Sequence, residues 1–315
     1  MSQKLNLEEV NFNSKKSLKY RSYQSPTNKQ LEPWWLRMRI LKKNVGFKLV
    51  GQKRMLHSLL MGLITGGHVL LEGPPGVGKT TAINTLSELI DCKLVLAQTC
   101  QDFIGANLIV ANELDRANDS FRKALLDAMQ EKEVVIGSDH FYLDLPFVVF
   151  STINPREDQR IPLLKAELDR FMFYHRVSHP SYAEELQILA NELTHNEAFS
   201  KSIDPVLDAK DLLEVQRLVH NLQFDNFLME RIAETMTWAR KQQYNKPWSG
   251  FSTRTTINWA RAACANAFLA ERSKVELTDL IQVMQSVLCH LLPHEYQSND
   301  VKLKYIASMQ EVLES

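Results

Sequence analysis

The chain has 315 residues, of which 44% are hydrophobic and 23% charged, and its formal net charge is zero. This composition is that of a globular protein with a sizeable core and room for two domains, and it excludes a disordered or fibrous chain. Four scattered cysteines without a CxxC pair, a polar start and no membrane-length apolar run argue against a secreted or membrane protein and favour the cytoplasm.

A basic arm precedes the first clear helix. Residues 1–54 carry 13 Lys/Arg and 3 Asp/Glu, which leaves a net charge of −10 on the remainder. Residues 1–30 are polar and lack apolar periodicity, which predicts a loosely ordered segment. Trp34 and Trp35 predict an anchor on the body or on a neighbouring subunit. The arm suits a neighbouring subunit, an acidic partner or nucleic acid, and a solvated tail is the alternative.

A phosphate-binding loop follows the first predicted helix and strand. The helix covers residues 55–64, and His68-Val-Leu-Leu71 is a short buried strand. Gly73-Pro-Pro-Gly-Val-Gly-Lys-Thr80 then fits G-x-x-x-x-G-K-[ST], the P-loop, whose backbone amides cradle phosphates and whose next residues begin a helix, here predicted over 79–90. The predicted nucleotide-binding residues are Gly73, Pro74, Pro75, Gly76, Val77, Gly78, Lys79, Thr80 and Thr81.

Alternating strands and helices continue to residue 180. Strands are predicted at 93–97, 108–111 and 147–150, with a helix at 120–130 and a hairpin of 134–136 with 141–143. Only residues 98–107 separate the second and third strands, although parallel strands usually need a longer crossover. Either this crossover is a single turn, or one of these strands is displaced or lost from the sheet. After Pro180 the pattern is helical throughout, without a predicted strand.

These ordered motifs resemble the MoxR group of the AAA+ ATPases, from Val50 to the end of the chain's helical part. The resemblance rests on Val50-Gly-Gln52, Gly67-His-Val-Leu-Leu-Glu-Gly73 with the P-loop, Glu113-Leu-Asp-Arg-Ala117, Ala124-Leu-Leu-Asp-Ala-Met-Gln-Glu131, Asn154-Pro155, Glu167-Leu-Asp-Arg-Phe171 and His179-Pro-Ser-Tyr182. It implies a three-layer αβα P-loop domain with a second, all-helical lid domain. The expected boundaries are a basic extension at 1–45, the nucleotide-binding domain at 46–180 and the lid at 181–315.

The resemblance also implies roles for four side chains. Glu113 matches the catalytic glutamate that activates water, and Asn154 matches the sensor that positions this water. Arg170 matches an arginine finger that acts on the neighbouring subunit, and Arg254 matches a second sensor that links the γ-phosphate to the lid. The alternatives are an Asn-Pro turn for Asn154, a surface pair with Asp169 for Arg170 and a first-turn surface arginine for Arg254.

Two departures from the family pattern stand out. Asn112 occupies the position of an aspartate that helps to hold Mg²⁺ in the family, so the predicted metal residues are Thr80 and Asn112, and a lower Mg²⁺ affinity is expected. The family also carries an inserted helical element near residues 98–107, which is missing or reduced to a stub here. The hairpin at 133–144 is expected to contact substrate or a neighbour, or to be plain scaffold.

The sequence therefore favours an ATPase that uses ATP and Mg²⁺, assembles as a ring, by resemblance a hexamer, and remodels a protein client in a chaperone-like manner. The resemblance adds a protein with a von Willebrand factor A domain as a partner, and neither a membrane span nor nucleic acid is expected. Asn112 and the short 98–107 segment favour the rival hypothesis, a regulatory or scaffold subunit with weak or no hydrolysis. The basic arm motivates a third alternative, a nucleic-acid-stimulated ATPase.

Overall fold

The computed structural model describes residues 25–154, 163–193, 204–242, 251–292 and 299–314. The helices are α1 (Asn28–Lys48), α2 (Lys53–Thr65), α3 (Lys79–Glu88), α4 (Asp119–Glu131), α5 (Lys165–Leu168), α6 (Tyr182–Leu193), α7 (Ala209–His220), α8 (Asn226–Gln242), α9 (Thr253–Leu269), α10 (Leu277–Leu288) and α11 (Asn299–Glu314). The strands are β1 (Val69–Glu72), β2 (Ile90–Asp91), β3 (Leu94–Leu96), β4 (Leu108–Ala111), β5 (Glu133–Ile136), β6 (Asp139–Tyr142), β7 (Val148–Ile153), β8 (Phe173–Arg176) and β9 (Leu207–Asp208).

A five-stranded parallel sheet organises the first half of the chain, with the strand order β3-β4-β7-β1-β8. Consecutive residues of β4 lie alternately in two hydrophobic clusters, because successive side chains of a strand point to opposite faces. Leu108 and Val110 join the cluster that contains α1–α3 and the lid helices, whereas Ile109 and Ala111 join the cluster that contains α4. The sheet is therefore covered on both faces, which is the predicted three-layer αβα arrangement.

The crossover between β3 and β4 is a single turn, which is one of the two alternatives predicted from the sequence. The two strands pair directly in parallel, with Leu94 opposite Leu108. A 3₁₀ turn at Cys100–Phe103 joins them, and Asp102 accepts hydrogen bonds from the backbone N–H groups of Gln98 and Thr99. Phe103 is fully buried against Phe121. The short segment is thus a compact, capped connection that contributes to the core.

Two local predictions were wrong, and one strand was missed. The helix after the P-loop ends at Glu88 rather than at residue 90, and Ile90 instead begins the short strand β2. That strand pairs with β9, so the expectation of no strand after Pro180 fails at Leu207–Asp208. The edge strand β8 was not predicted, because only one of its four residues is fully buried and it lacks a continuous apolar run. All three differences arise from pairing between strands that are distant in the sequence, which local sequence patterns do not predict.

Helix α1 contains the second half of the basic arm and packs against the rest of the folded chain. Leu31, Trp35, Met38, Leu41 and Val45 fall at helical spacing and are buried in the cluster that covers one face of the sheet. The expected anchor at the paired tryptophans is therefore one turn of a longer apolar stripe. The expected domain boundary at residue 45 falls inside this helix.

Polar contacts attach α1 to the helical half of the chain. Arg37 forms an ion pair with Asp211 at 2.7 Å, and Arg39 forms one with Glu271 at 2.6 Å. Lys42 Nζ donates to the Leu269 carbonyl at 2.8 Å. Three basic side chains of α1 thus have ion-pair or hydrogen-bond partners within the chain. Residues 1–24, the rest of the predicted arm, lie outside the described residues.

Removal of the α1 stripe tests whether this helix belongs to the folded body. We expect Leu41→Ala to lower the free energy of unfolding by about 2–5 kcal/mol, because Leu41 is 0% exposed and a cavity would remain. The matched control is Leu36→Ala on the same helix, where the side chain is 53% exposed and the change should stay within about 0.5 kcal/mol. Equal effects of the two substitutions, measured by urea unfolding, would contradict a packed α1.

Helices dominate the chain after Pro180, as predicted. Trp259 is fully buried in α9 and donates its indole N–H to the Leu280 carbonyl of α10 at 2.9 Å. Asp279 is also fully buried and pairs with Arg272 at 2.5 Å. Among the described residues, no helix combines the length and apolarity needed to cross a membrane.

Candidate functional site

The P-loop lies between β1 and α3, at the carboxyl edge of the sheet. Gly73 donates its N–H to the Ile153 carbonyl at 3.2 Å, and a Cβ there would lie 2.6 Å from the Val177 carbonyl oxygen. Only glycine fits this close approach. Gly78, at φ +86°, takes the left-handed conformation at the start of α3. The loop thus has the strand-loop-helix context that the motif requires.

Lys79 folds back onto its own loop. Its Nζ donates to the carbonyl of Gly73, to that of Pro74 at 2.9 Å and to Asn154 Oδ1 at 3.3 Å. Burial lowers the pKa of Lys79, and the nearby carboxylates, Glu113 foremost, oppose this shift. The ammonium is therefore surrounded by oxygen acceptors from its own loop and from Asn154.

Asn112 lies beside the hydroxyl of the P-loop threonine. Its Oδ1 accepts hydrogen bonds from Thr80 Oγ1 at 3.4 Å and from Thr152 Oγ1 at 3.2 Å. The two predicted metal residues, Thr80 and Asn112, are thus brought together, and both supply oxygen atoms, which Mg²⁺ prefers. The Asn112 amide carries no formal charge, so the pair provides a weaker field for a dication than a carboxylate would.

Glu113 is held in place from three sides. Its backbone is in the left-handed region at φ 50°, and its N–H donates to Thr152 Oγ1 at 3.0 Å. Its carboxylate accepts from Asn154 Nδ2 at 3.2 Å and pairs with Arg116 at 2.9 Å. Asn154 therefore bridges Lys79 and Glu113 through the two ends of its amide. Pro155, which follows it, lies outside the described residues.

Within the described residues, neither predicted arginine forms a hydrogen bond or ion pair with this cluster. Arg254 contacts Asp169 at 3.6 Å and donates to Gln130 Oε1 at 3.3 Å. Arg170, next to Asp169 in the chain, donates to the Ala166 carbonyl at 2.9 Å, and its buried Nε has no hydrogen-bond partner among the described residues. Asp169 also accepts from Ser252 and Thr255 at the start of α9. Arg254 thus contacts Asp169, the residue that precedes Arg170 in the chain.

Sequence reasoning assigned no role to the cavity beside Val50-Gly-Gln52. The cavity measures about 580 Å³. Its lining residues are Gly46, Leu49, Val50, Gly51, Gln52, Lys53 and Leu56, together with Glu184, Gln187 and Asn191 of α6. Gln52 reaches the Ser178 carbonyl at 3.5 Å, and the neighbouring Val177 packs on Gly73 of the P-loop. Its size is in the range of small-ligand sites. The Val50-Gly-Gln52 motif was visible in the sequence, but only the tertiary structure shows that it lines a cavity.

The cluster of Lys79, Thr80, Asn112, Glu113 and Asn154 combines the groups that phosphoryl transfer needs. They come from the P-loop and from the carboxyl ends of β4 and β7, where open α/β sheets bind ligands. An ammonium and backbone amides suit phosphates, hydroxyl and amide oxygens suit a hard cation, and a carboxylate suits a water proton.

Comparison with known protein families agrees with this geometry. Residues 98–173 match the family of ATPases associated with various cellular activities, and residues 249–307 match the AAA lid domain. The first match includes β4, α4, the hairpin and β7 and ends at Phe173, the first residue of β8. The second includes α9, α10 and the first half of α11. The αβα core and the helical lid are therefore each supported separately.

Individual relatives cover most of the chain. It is 30% identical over 287 residues to Chaperone MoxR1 of Mycobacterium tuberculosis, covering 79% of this chain and 74% of that protein. It is 31% identical over 272 residues to the uncharacterized protein YeaC of Bacillus subtilis, covering 78% and 82% respectively. A crystal structure of a candidate ATPase from Cytophaga hutchinsonii superposes with a TM-score of 0.80 at 29% identity, covering 89% of this chain and 95% of that one.

The sheet order, the P-loop cluster, the lid and these relatives point to one conclusion. A relative at 30% identity over most of both chains establishes common descent rather than a shared fold alone. The resemblance drawn from the sequence motifs is confirmed. The chain belongs to the MoxR group of the AAA+ ATPases.

Proposed function

We propose that the chain hydrolyses ATP and uses the cycle to remodel or assist the assembly of a protein client. The observation that supports this is the hydrogen-bonded series Lys79–Asn154–Glu113 beside the P-loop. It connects the group that would meet the β- and γ-phosphates with the carboxylate that would accept a proton from water. The cavity beside Val50-Gly-Gln52 would then hold the adenine.

The residues divide the chemistry between them. The backbone of Gly73–Thr81 and Lys79 would bind the phosphates, and Thr80 and Asn112 would hold Mg²⁺, which neutralises phosphate charge. Glu113 would accept the proton of the attacking water, which Asn154 orients. For this to happen Glu113 must release Arg116, an exposed pair that costs about 1 kcal/mol or less to break.

A second subunit would complete the site. Arg254 contacts Asp169, the chain neighbour of Arg170, and neither arginine hydrogen-bonds to the Lys79 cluster among the described residues, so we assign both to the site of a neighbouring subunit in a ring, by family resemblance a hexamer. The proposed domains are the nucleotide-binding domain at 46–180 and the lid at 181–315, with α1 joining the extension at 1–45 to the body. We also propose a cytoplasmic location and a von Willebrand factor A-domain protein as a partner.

A regulatory or scaffold subunit with weak hydrolysis is the second candidate, favoured by Asn112. Two unit charges 4 Å apart interact by about 4 kcal/mol at an effective dielectric of 20, so loss of a carboxylate beside Mg²⁺ matters. Thr80 and the phosphates still ligate the ion. We therefore expect that weaker Mg²⁺ binding slows ATP turnover and does not abolish it.

The Asn112→Asp variant distinguishes the two candidates. For the hydrolase, we expect the unmodified chain to turn over ATP, Asn112→Asp to lower the Mg²⁺ concentration for half-maximal rate by about tenfold, and Glu113→Gln to abolish turnover. The measurement is steady-state ATPase as a function of Mg²⁺. An inactive chain that Asn112→Asp activates would instead favour the regulatory subunit.

A further inference from the structure

A second cleft, of about 810 Å³, lies between α2, the free edge of β8 and the lid helices α9 and α10. Its basic wall is formed by Lys53 and Arg54 of α2 and Arg176 of β8. None of its described lining residues is an aspartate or glutamate, and none belongs to the P-loop. The cleft thus has a positive character and contains no P-loop residue. Gly51, Gln52 and Lys53 also line the cavity beside Val50-Gly-Gln52, so the two cavities adjoin.

Two guanidinium groups of this cleft have no carboxylate partner. Arg54 and Arg176 are exposed, and neither forms an ion pair within the described part of the chain. Two carboxylates beside the cleft accept hydrogen bonds from other side chains. Glu72, opposite Arg176 in the β1–β8 pairing, accepts from Tyr174 Oη at 2.7 Å, and Glu184 accepts from Ser181 Oγ at 2.8 Å. Arginine is the residue that most often binds phosphate and carboxylate groups in a fork geometry. The two side chains are therefore available to an external anion.

The start of α2 is a second, independent feature that favours anion binding in this cleft. A helix N-terminus carries a partial positive charge, so acidic side chains usually occupy the first turn. Here the first turn contains Lys53 and Arg54 and no acidic residue. This arrangement is unfavourable by itself and becomes favourable when an anion binds in front of the helix.

Neutral hydrogen-bonding groups form the floor. Asn266, which is 5% exposed, donates through Nδ2 to Asp279 at 2.7 Å and to Gln282 Oε1 at 2.8 Å. Its Oδ1 must therefore accept from His57 Nε2, 3.1 Å away. Since Gln282 uses its oxygen, its amide nitrogen is left to donate. Burial, followed by the nearby Arg54 charge, lowers the pKa of His175 to about 4, so that ring is neutral at pH 7.

We propose that this cleft binds a phosphorylated small molecule of nucleotide size, with Arg54 and Arg176 on its phosphate groups and Gln282 on its polar body. The cleft volume is within the range of small-ligand sites. The walls come from both halves of the molecule: α2 and β8 on one side, and Gln282, Gln285 and Ser286 of α10 on the other. A bound ligand would thus bridge the αβα domain and the lid.

The test uses inorganic tripolyphosphate with the full chain carrying Lys79→Ala, which weakens the P-loop. We expect tripolyphosphate to raise the melting temperature of this protein and to bind by calorimetry. Adding Arg54→Gln and Arg176→Gln should weaken binding by at least about tenfold, because two charge-assisted contacts are lost. The matched control adds Lys123→Gln and Lys210→Gln, which remove the same charge from other exposed positions and should leave binding unchanged.

A second variant separates the cleft from general charge effects. Ser286→Trp would fill the cleft from the lid side without changing any charge, and it should also abolish tripolyphosphate binding. Retention of binding in both the arginine and the Ser286→Trp variants would overturn the proposal. Absence of binding to the Lys79→Ala protein would overturn it too, as would tighter binding of an acidic peptide such as oligoglutamate in the same cleft.

Discussion

Lys79→Ala is expected to reduce ATP turnover by about a hundredfold or more and to weaken nucleotide binding. The reason is that Lys79 is the cation placed to contact the β- and γ-phosphates, and groups that stabilise developing charge typically contribute this much. Steady-state ATPase and titration with a fluorescent ATP analogue measure the two effects. Lys123→Ala, an exposed lysine on α4, is the control and should leave both unchanged.

Folding must be checked in the same variant, because Lys79 is 8% exposed and bonds to two carbonyls of its own loop. A melting temperature close to that of the unmodified chain would assign the loss to the site. If Lys79→Ala left both turnover and nucleotide affinity intact, the proposed ATPase mechanism would be wrong, since no other described lysine contacts this loop.

Arg170→Ala is expected to lower turnover by about a thousandfold or more while ATP binding is retained. An arginine that enters the site from a neighbouring subunit contributes about 10³–10⁵ in rate by neutralising transition-state charge. Binding should persist because the residues clustered around Lys79 do not include Arg170. Turnover and nucleotide titration again provide the measurements, with Arg217→Ala, an exposed arginine of α7, as the control.

Mixing two inactive variants tests whether Arg170 acts between subunits. A subunit with Arg170→Ala keeps its own Glu113, and a subunit with Glu113→Gln keeps its own Arg170. In mixed rings some sites would combine an intact Glu113 with an intact Arg170 from the neighbour, so partial activity should return. Mixtures that stay inactive although mass measurement detects mixed oligomers would contradict an action between subunits.

Local pattern was sufficient for much of the fold and for the phosphate-binding part of the site. The P-loop is a contiguous motif, and its glycines, lysine and threonine act through one bend of the backbone, so their placement follows from a few consecutive residues. Buried strands such as β4 and β7 are short apolar runs because both of their faces are covered. The long lid helices have clear apolar periodicity.

Other features depended on contacts between distant residues. Strand β8 exists because it pairs with β1, and its sequence, Phe173-Tyr-His-Arg176, is only partly apolar since one edge is open to the arginine-lined cleft. Helix α1 is basic, and only its packing against the body reveals which face is buried.

The same division applies to the site. The sequence motifs identified Glu113, Asn154, Arg170 and Arg254 one by one. The tertiary structure shows that Glu113 and Asn154 lie in one hydrogen-bonded series with Lys79. It also shows that Arg254 contacts Asp169, the residue before Arg170. Residues close in sequence determine a loop or a helix through local backbone preferences and apolar spacing. Groups separated by about forty residues or more meet only because sheet pairing and core packing bring the strand ends together. Local sequence patterns do not determine these long-range contacts.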